Sequence, residues 1–92
     1  MKKCLKISIM GAGQDSFVHE IQKKGAKLNV EGTIQYVAAE NEVKIIACGT
    51  KEEVDKFVDL IHKEAALMGA QAPNIEPFVK VKDYRGALRI IE

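Results

Sequence analysis

With 92 residues the chain has room for one domain and one modest core, near the small end of what folds without staples. A composition of 47% hydrophobic and 29% charged residues is globular and excludes a disordered chain. The 14 basic and 13 acidic side chains leave a formal charge of +1, which excludes the strong positive field of a nucleic-acid or membrane-surface binder and leaves only local patches.

Met1-Lys2-Lys3-Cys4 is followed by alternation rather than by a long apolar run with a small-residue cleavage site, so no signal peptide is expected. No stretch approaches the roughly 20 apolar residues of a membrane span. Cys4 and Cys48 have no metal-ligand spacing, and without a secretion signal both are expected to stay reduced in the cytoplasm.

Leu5, Ile7 and Ile9 alternate with Lys6, Ser8 and Met10, the period of a strand with one buried face. Gly11-Ala12-Gly13-Gln14-Asp15 ends it, and Asp15 or Ser16 is the expected N-cap of a helix. Phe17, Val18, Ile21 and Leu28 then recur at helical spacing, with Lys23, Lys24 and Lys27 on the polar side and the end near residues 25–27. Residues 30–37 read as a second strand with Val30, Gly32, Ile34 and Tyr36 on one parity, and 38–42 as a turn. Val43, Ile45 and Ala47 alternate against Lys44, Ile46 and Cys48 in a third strand that closes a hairpin. Thr50-Lys51-Glu52-Glu53 is a capping box, and Val54, Phe57, Val58, Ile61 and Ala65 stripe a second helix that ends by Gly69. After a connector with Pro73, residues 75–81 read as a fourth strand placed at a sheet edge by Pro77, and 87–91 as a short fifth strand.

The order is β-α-β-β-α-β with an added C-terminal strand, the ferredoxin-like split β-α-β sandwich of the α+β class. Right-handed crossovers put both helices on one face of an antiparallel sheet. The first and third strands are expected as parallel central neighbours, which would hold Cys4 and Cys48 far apart and argues against a disulfide. Residues 1–92 are read as a single domain.

The loop Gly11, Ala12, Gly13, Gln14, Asp15, Ser16 has the make-up of an anion cradle, in which glycine N–H groups and a helix N-terminus converge on a phosphate. Glycines are equally what a tight strand-to-helix turn requires, and both readings stand. No arginine lies in or beside the loop; the two in the chain are Arg85 and Arg89.

On these residues the chain resembles the acylphosphatase family. The family signature runs Gly-x-Val-Gln-Gly-Val-x-Phe-Arg, a helix, then Leu-Gly-Leu-x-Gly-Trp-Val-x-Asn. Gly11 and Gln14 match, Phe17 keeps an aromatic, and Leu28-Asn29-Val30-Glu31-Gly32-Thr33-Ile34 follows the second block in type and spacing. The resemblance implies hydrolysis of acyl phosphates without metal or cofactor, with the arginine gripping phosphate and the asparagine positioning water. Counting back from Leu28 puts Val18 on the arginine position, and counting forward from Gly11 puts His19 there; Tyr36 falls on the asparagine position. Asp15 replaces the second signature glycine and sets a carboxylate where phosphate would sit.

His19 beside Glu20 and Gln22 reads as a solvated helix face, with a substitute phosphate contact as the sharper alternative. His62 and Arg85 read as solvated, and Asn41 as a turn residue that tolerates positive φ. The sheet's outward positions Lys6, Ser8, Met10, Lys44, Ile46 and Cys48 lack the stacking aromatics of an RNA-recognition module, which sets that reading lowest. The reading favoured is an acylphosphatase-like domain that has lost catalysis and serves as a binding or interaction module. Its alternative is an acylphosphatase with a non-standard site. Expected partners are a small anion or acyl phosphate and a partner protein, with no membrane and no nucleic acid, no metal and no cofactor, as a monomer or weak dimer.

Overall fold

In the computed structural model, which describes residues 3–11, 15–78 and 84–91, the apolar alternation of the first segment becomes β1, Lys3–Met10. Leu5, Ile7 and Ile9 face the helices, and the two isoleucines are wholly buried. The first helix, α1, spans Asp15–Lys27, and β2 spans Glu31–Val37. A single 3-10 turn, Ala38–Glu40, leads through Asn41 at φ 49° into β3, Glu42–Gly49. The second helix, α2, is Lys51–Leu67, followed by the short strands β4, Asn74–Pro77, and β5, Leu88–Ile91.

Local chemistry explains the helix ends. Thr50 Oγ1 accepts from the Glu53 N–H at 3.2 Å while Glu53 Oε1 accepts from the Thr50 N–H at 3.0 Å, so the capping box forms in full. The last turns of α1 and α2 close in the same way. Val30 and Asn29 donate back to Gly25 and Ala26, and Ala70 and Gly69 donate back to Ala65 and Ala66. These are the paired 6→1 and 5→2 bonds of a Schellman motif. The expected N-cap of α1 differs: Asp15 already lies in the helix, so it and Ser16 belong to the first turn rather than outside it.

The sheet order is β4-β1-β3-β2-β5, and both helices pack on one face of it. One contiguous cluster forms the core, uniting Ile7, Ile9, Ile34, Val43 and Ile45 of the sheet with Phe17, Val18 and Ile21 of α1 and Val54, Phe57 and Ile61 of α2. Each such side chain contributes about 1.5–3 kcal/mol relative to an exposed one. This is the ferredoxin-like architecture expected from the element order. Pro77 sits on the edge strand β4, opposite Leu5, as its missing donor requires.

Three further details depart from the sequence reading. The fourth strand is shorter than expected and ends at Pro77; residues 79–83 of the expected strand and turn lie outside the described residues. The fifth strand pairs with β2 in parallel, so the sheet is mixed.

The third departure concerns the cysteines: β1 and β3 are antiparallel, not parallel. A crossover returns β2 parallel to β1, and the β2–β3 hairpin then reverses β3, a count of reversals that the sequence already contained. The start of β1 therefore faces the end of β3, with Cys4 opposite Cys48 and their Cα atoms 4.1 Å apart in a disulfide. The expectation of two reduced, distant cysteines is overturned, and the inference to a reducing compartment loses its premise. The bridge closes a sequence separation of 44 residues. For loops of this order it contributes about 2–4 kcal/mol. Urea unfolding of the oxidised protein against a Cys4→Ala, Cys48→Ala variant should show that loss as a lower midpoint, with a slope no smaller than the parent's because the unbridged unfolded chain exposes more surface; equal midpoints would contradict a bridged native state.

Candidate functional site

The end of the sheet that carries Met10 also carries Val37, Asn41 and Glu42, because Met10 pairs with Glu42 and Glu42 with Val37. Gly11 follows at φ +82°, a left-handed conformation that suits glycine, and its N–H donates to the Asn41 carbonyl at 2.9 Å. The connector after α2 joins here, since the Gln71 N–H donates to the Met10 carbonyl at 3.2 Å. The β1–α1 loop thus leaves the sheet from a point tied to the hairpin turn on one side and to the connector on the other. Ala12, Gly13 and Gln14, the middle of the expected cradle, lie outside the described residues, as does the Asp15 side chain.

The other candidates distribute around this end. Val18 is 4% exposed and belongs to the core cluster, whereas its neighbour His19 is exposed. Successive helical positions are turned by about 100°, so only one of the two can face inwards. Ser16 is exposed on the first turn. Tyr36 lies in the row Ile9–Val43–Tyr36, which sets its backbone two strand spacings, about 10 Å, from β1. Its side chain is 36% exposed on the helix-side parity of β2.

Among the described residues, two features bear on the charge of this end. The Gly11 N–H is already satisfied by Asn41. Glu42 brings a largely buried carboxylate next to the same turn; Lys44 stands 3.5 Å from its Oε1 as an ion pair, but the two are not aligned for a hydrogen bond. Arg85 lies at the opposite end of the sheet, in a turn held where the Gly86 N–H donates to Glu31 Oε2 at 3.0 Å at the start of β2. Arg89 is opposite Thr33 on β2, on the outward face. Buried Glu31, 6% exposed, was not foreseen, since its neighbours in the sequence carry the strand signal and it does not. Asn41 was read as a turn residue, and its φ agrees, but its closeness to Gly11 is a tertiary fact that spacing does not reveal. Among the described residues no group of three or more His, Cys, Asp or Glu is placed to hold a metal ion, and no helix is long and apolar enough to cross a membrane.

No family model matches this sequence, and no curated protein matches it. Solved structures do. An acylphosphatase from Coxiella burnetii superposes with a TM-score of 0.82 at 22% identity, over 98% of this chain and 93% of that one. An acylphosphatase from Bacillus subtilis gives 0.85 at 16% identity with both chains covered in full. Full-length HypF, in a phosphate- and nucleotide-bound form, gives 0.81 at 19% identity over all of this chain and 12% of its own. At these identities the likeness is one of fold, and fold alone does not carry activity.

Proposed function

We propose that this chain, which has the acylphosphatase fold, is a binding module that does not hydrolyse acyl phosphates. The observation that carries the reading is that neither candidate for the family's arginine position holds an arginine: Val18, set there by the spacing back from Leu28, is buried in the core, and the exposed alternative is His19. Both arginines of the sequence lie elsewhere. Transfer of a phosphoryl or acyl group builds negative charge that a fixed donor must meet, and losing one such donor commonly costs about 100- to 1,000-fold in rate. Here the Gly11 N–H is engaged by Asn41 and the Glu42 carboxylate stands beside the turn, and both weigh against a bound phosphate. The expected result is that purified protein hydrolyses benzoyl phosphate at the uncatalysed rate at neutral pH. Turnover that is abolished by His19→Ala or Tyr36→Phe would refute it.

One observation favours hydrolysis as the second reading. The Gly11 N–H donates to the Asn41 backbone carbonyl, so the hairpin turn that carries this residue, whose side chain is a carboxamide of the kind the family uses to position water, adjoins the start of the loop by a route other than β2. Loss of any measured turnover in Asn41→Asp, with the fold retained, would identify that arrangement as a site; Asp retains the size and the tolerance of positive φ.

A further inference from the structure

Among the described residues, a shallow apolar groove lies at the other end of the molecule, between the helices. Lys24, Lys27 and Leu28 at the C-terminal end of α1 face Lys56, Asp59, Leu60 and Lys63 across a groove of about 450 Å³. The α2 residues recur at intervals of three, one and three, a single helical face beside the core stripe Val54, Phe57 and Ile61. Leu28 and Leu60 form the floor, each packed on the core from below and partly open above. A second depression of about 360 Å³ shares Lys27, Leu28 and Lys56 and continues the groove to Thr50 at the start of α2.

The lysines around the floor differ in what occupies them. Lys24 donates to Glu64 Oε1 at 2.6 Å and lies 3.8 Å from Glu20, so it clamps the two helices together. The hydrogen bond to Glu64 raises its pKa, against partial desolvation and with help from Glu20. Lys56 lies 3.3 Å from Glu52 on its own helix. Lys27 and Lys63 have no carboxylate partner among the described residues. Two uncommitted cations therefore flank an apolar floor, one from each helix.

We propose that this groove docks an acidic amphipathic helix of a partner protein, with its apolar stripe on Leu28 and Leu60 and its carboxylates against Lys27 and Lys63. The choice of occupant follows from the groove itself. No sheet edge lines it, so a guest must satisfy its own backbone hydrogen bonds, which a helix does and an extended peptide does not. From Thr50 to Lys63 the groove runs along about 20 Å of α2, the length of a helix of about 13 residues. Asp59 on the rim and the carboxylates of Glu20, Glu52 and Glu64 around it oppose a uniformly anionic surface such as a bilayer. A peptide can instead place its charges opposite the two open lysines alone. The inference gives the module a partner and so rests on the non-catalytic reading, but the tests separate: benzoyl phosphate turnover would overturn that reading whatever the peptide does.

The probe is a labelled peptide of about 14 residues built from Glu, Ala and Leu, with leucines at every third or fourth position along one face. Titrated into the intact protein, it should give saturable anisotropy and amide shifts concentrated in residues 24–28 and 56–63. Lys27→Glu with Lys63→Glu should weaken it by about tenfold or more, and the same double variant should gain affinity for the peptide with lysines in place of its glutamates. Circular dichroism checks that the variant folds, and the neutral pair Lys27→Gln with Lys63→Gln should give an intermediate loss if it does not. Equal binding of a peptide with its leucines scattered round the helix, shifts centred elsewhere, or no peptide binding while phosphatidylserine vesicles capture the protein would each overturn the proposal.

Discussion

An arginine at position 18 will unfold this protein rather than restore a phosphate grip. Val18 is 4% exposed and packed within the cluster that joins α1 to the sheet. A guanidinium there is a charge without a partner, which costs about 3–5 kcal/mol, and its bulk overpacks the site by about 1–3 kcal/mol more. The sum approaches the whole of the about 5–15 kcal/mol that holds a typical domain folded. Val18→Arg should therefore lose its cooperative urea transition or shift the midpoint down by more than about 2 M, at a slope of about 1–2 kcal/mol per M. His19→Arg, one position on and exposed, should stay within about 0.5 kcal/mol of the parent. A well-folded Val18→Arg protein with an unchanged midpoint would mean that the side chain can leave the core and reach the Gly11 end, and the argument from burial would fail. The same pair tests the alignment: only at position 19 can an arginine be added and activity be assayed on a folded chain.

Gly32→Ala should be at least as damaging, for a backbone reason. Gly32 has φ +143°, and a Cβ on it would lie 1.7 Å from the Ile46 carbonyl oxygen and 2.7 Å from its carbon. Neither partner can give way cheaply. Gly32 is paired with Ala47 on one side and Leu88 on the other, and its N–H donates to the Ala87 carbonyl at 2.9 Å. Relief requires moving β2 away from β3, which breaks ladder bonds in the middle of the sheet and opens the core beneath Ile34 and Ile45. A loss of at least about 4 kcal/mol is expected, in the range that single substitutions reach only through such named faults. Gly86→Ala is the control: its φ is also positive, at +69°, but nothing lies within 4 Å of the added carbon, so the cost should be limited to about 1–2 kcal/mol. Comparable unfolding midpoints for the two variants would remove the steric account of Gly32.

The candidate site was legible in unequal parts. The glycine loop and the missing arginine were visible because both are statements about residue type in a short window. Whether the loop's N–H groups are available is not such a statement: the partner of the Gly11 N–H comes from residue 41, and nothing in the spacing between them announces it. The two candidates for the arginine position, Val18 and His19, were left open because a gap of one residue is free in a sequence; on a helix it turns a side chain from the core to solvent. The lysine groove was missed for a related reason. Lys24, Lys27, Lys56 and Lys63 each read as ordinary polar-face residues, and only the packing of α1 against α2 sets them around one apolar floor.

Signals that close within a few residues were sufficient for the elements. The alternation of Leu5, Ile7 and Ile9 specifies a strand and its inner face, Thr50 with Glu53 specifies where α2 begins, and Pro77 specifies an edge. These depend on dihedral preference, side-chain period and hydrogen bonds between near neighbours, and they survive whatever the rest of the chain does. Strand direction, the Cys4–Cys48 bridge, the parallel pairing of β5 with β2, the burial of Glu31 and the engagement of Gly11 by Asn41 belong to the other kind. Each joins residues far apart in the sequence, and periodicity reports which face a residue takes without reporting which strand lies beside it or which way that strand runs. That choice is made when the whole core closes, because only then do the costs of unpaired backbone groups and exposed apolar surface become common to every element.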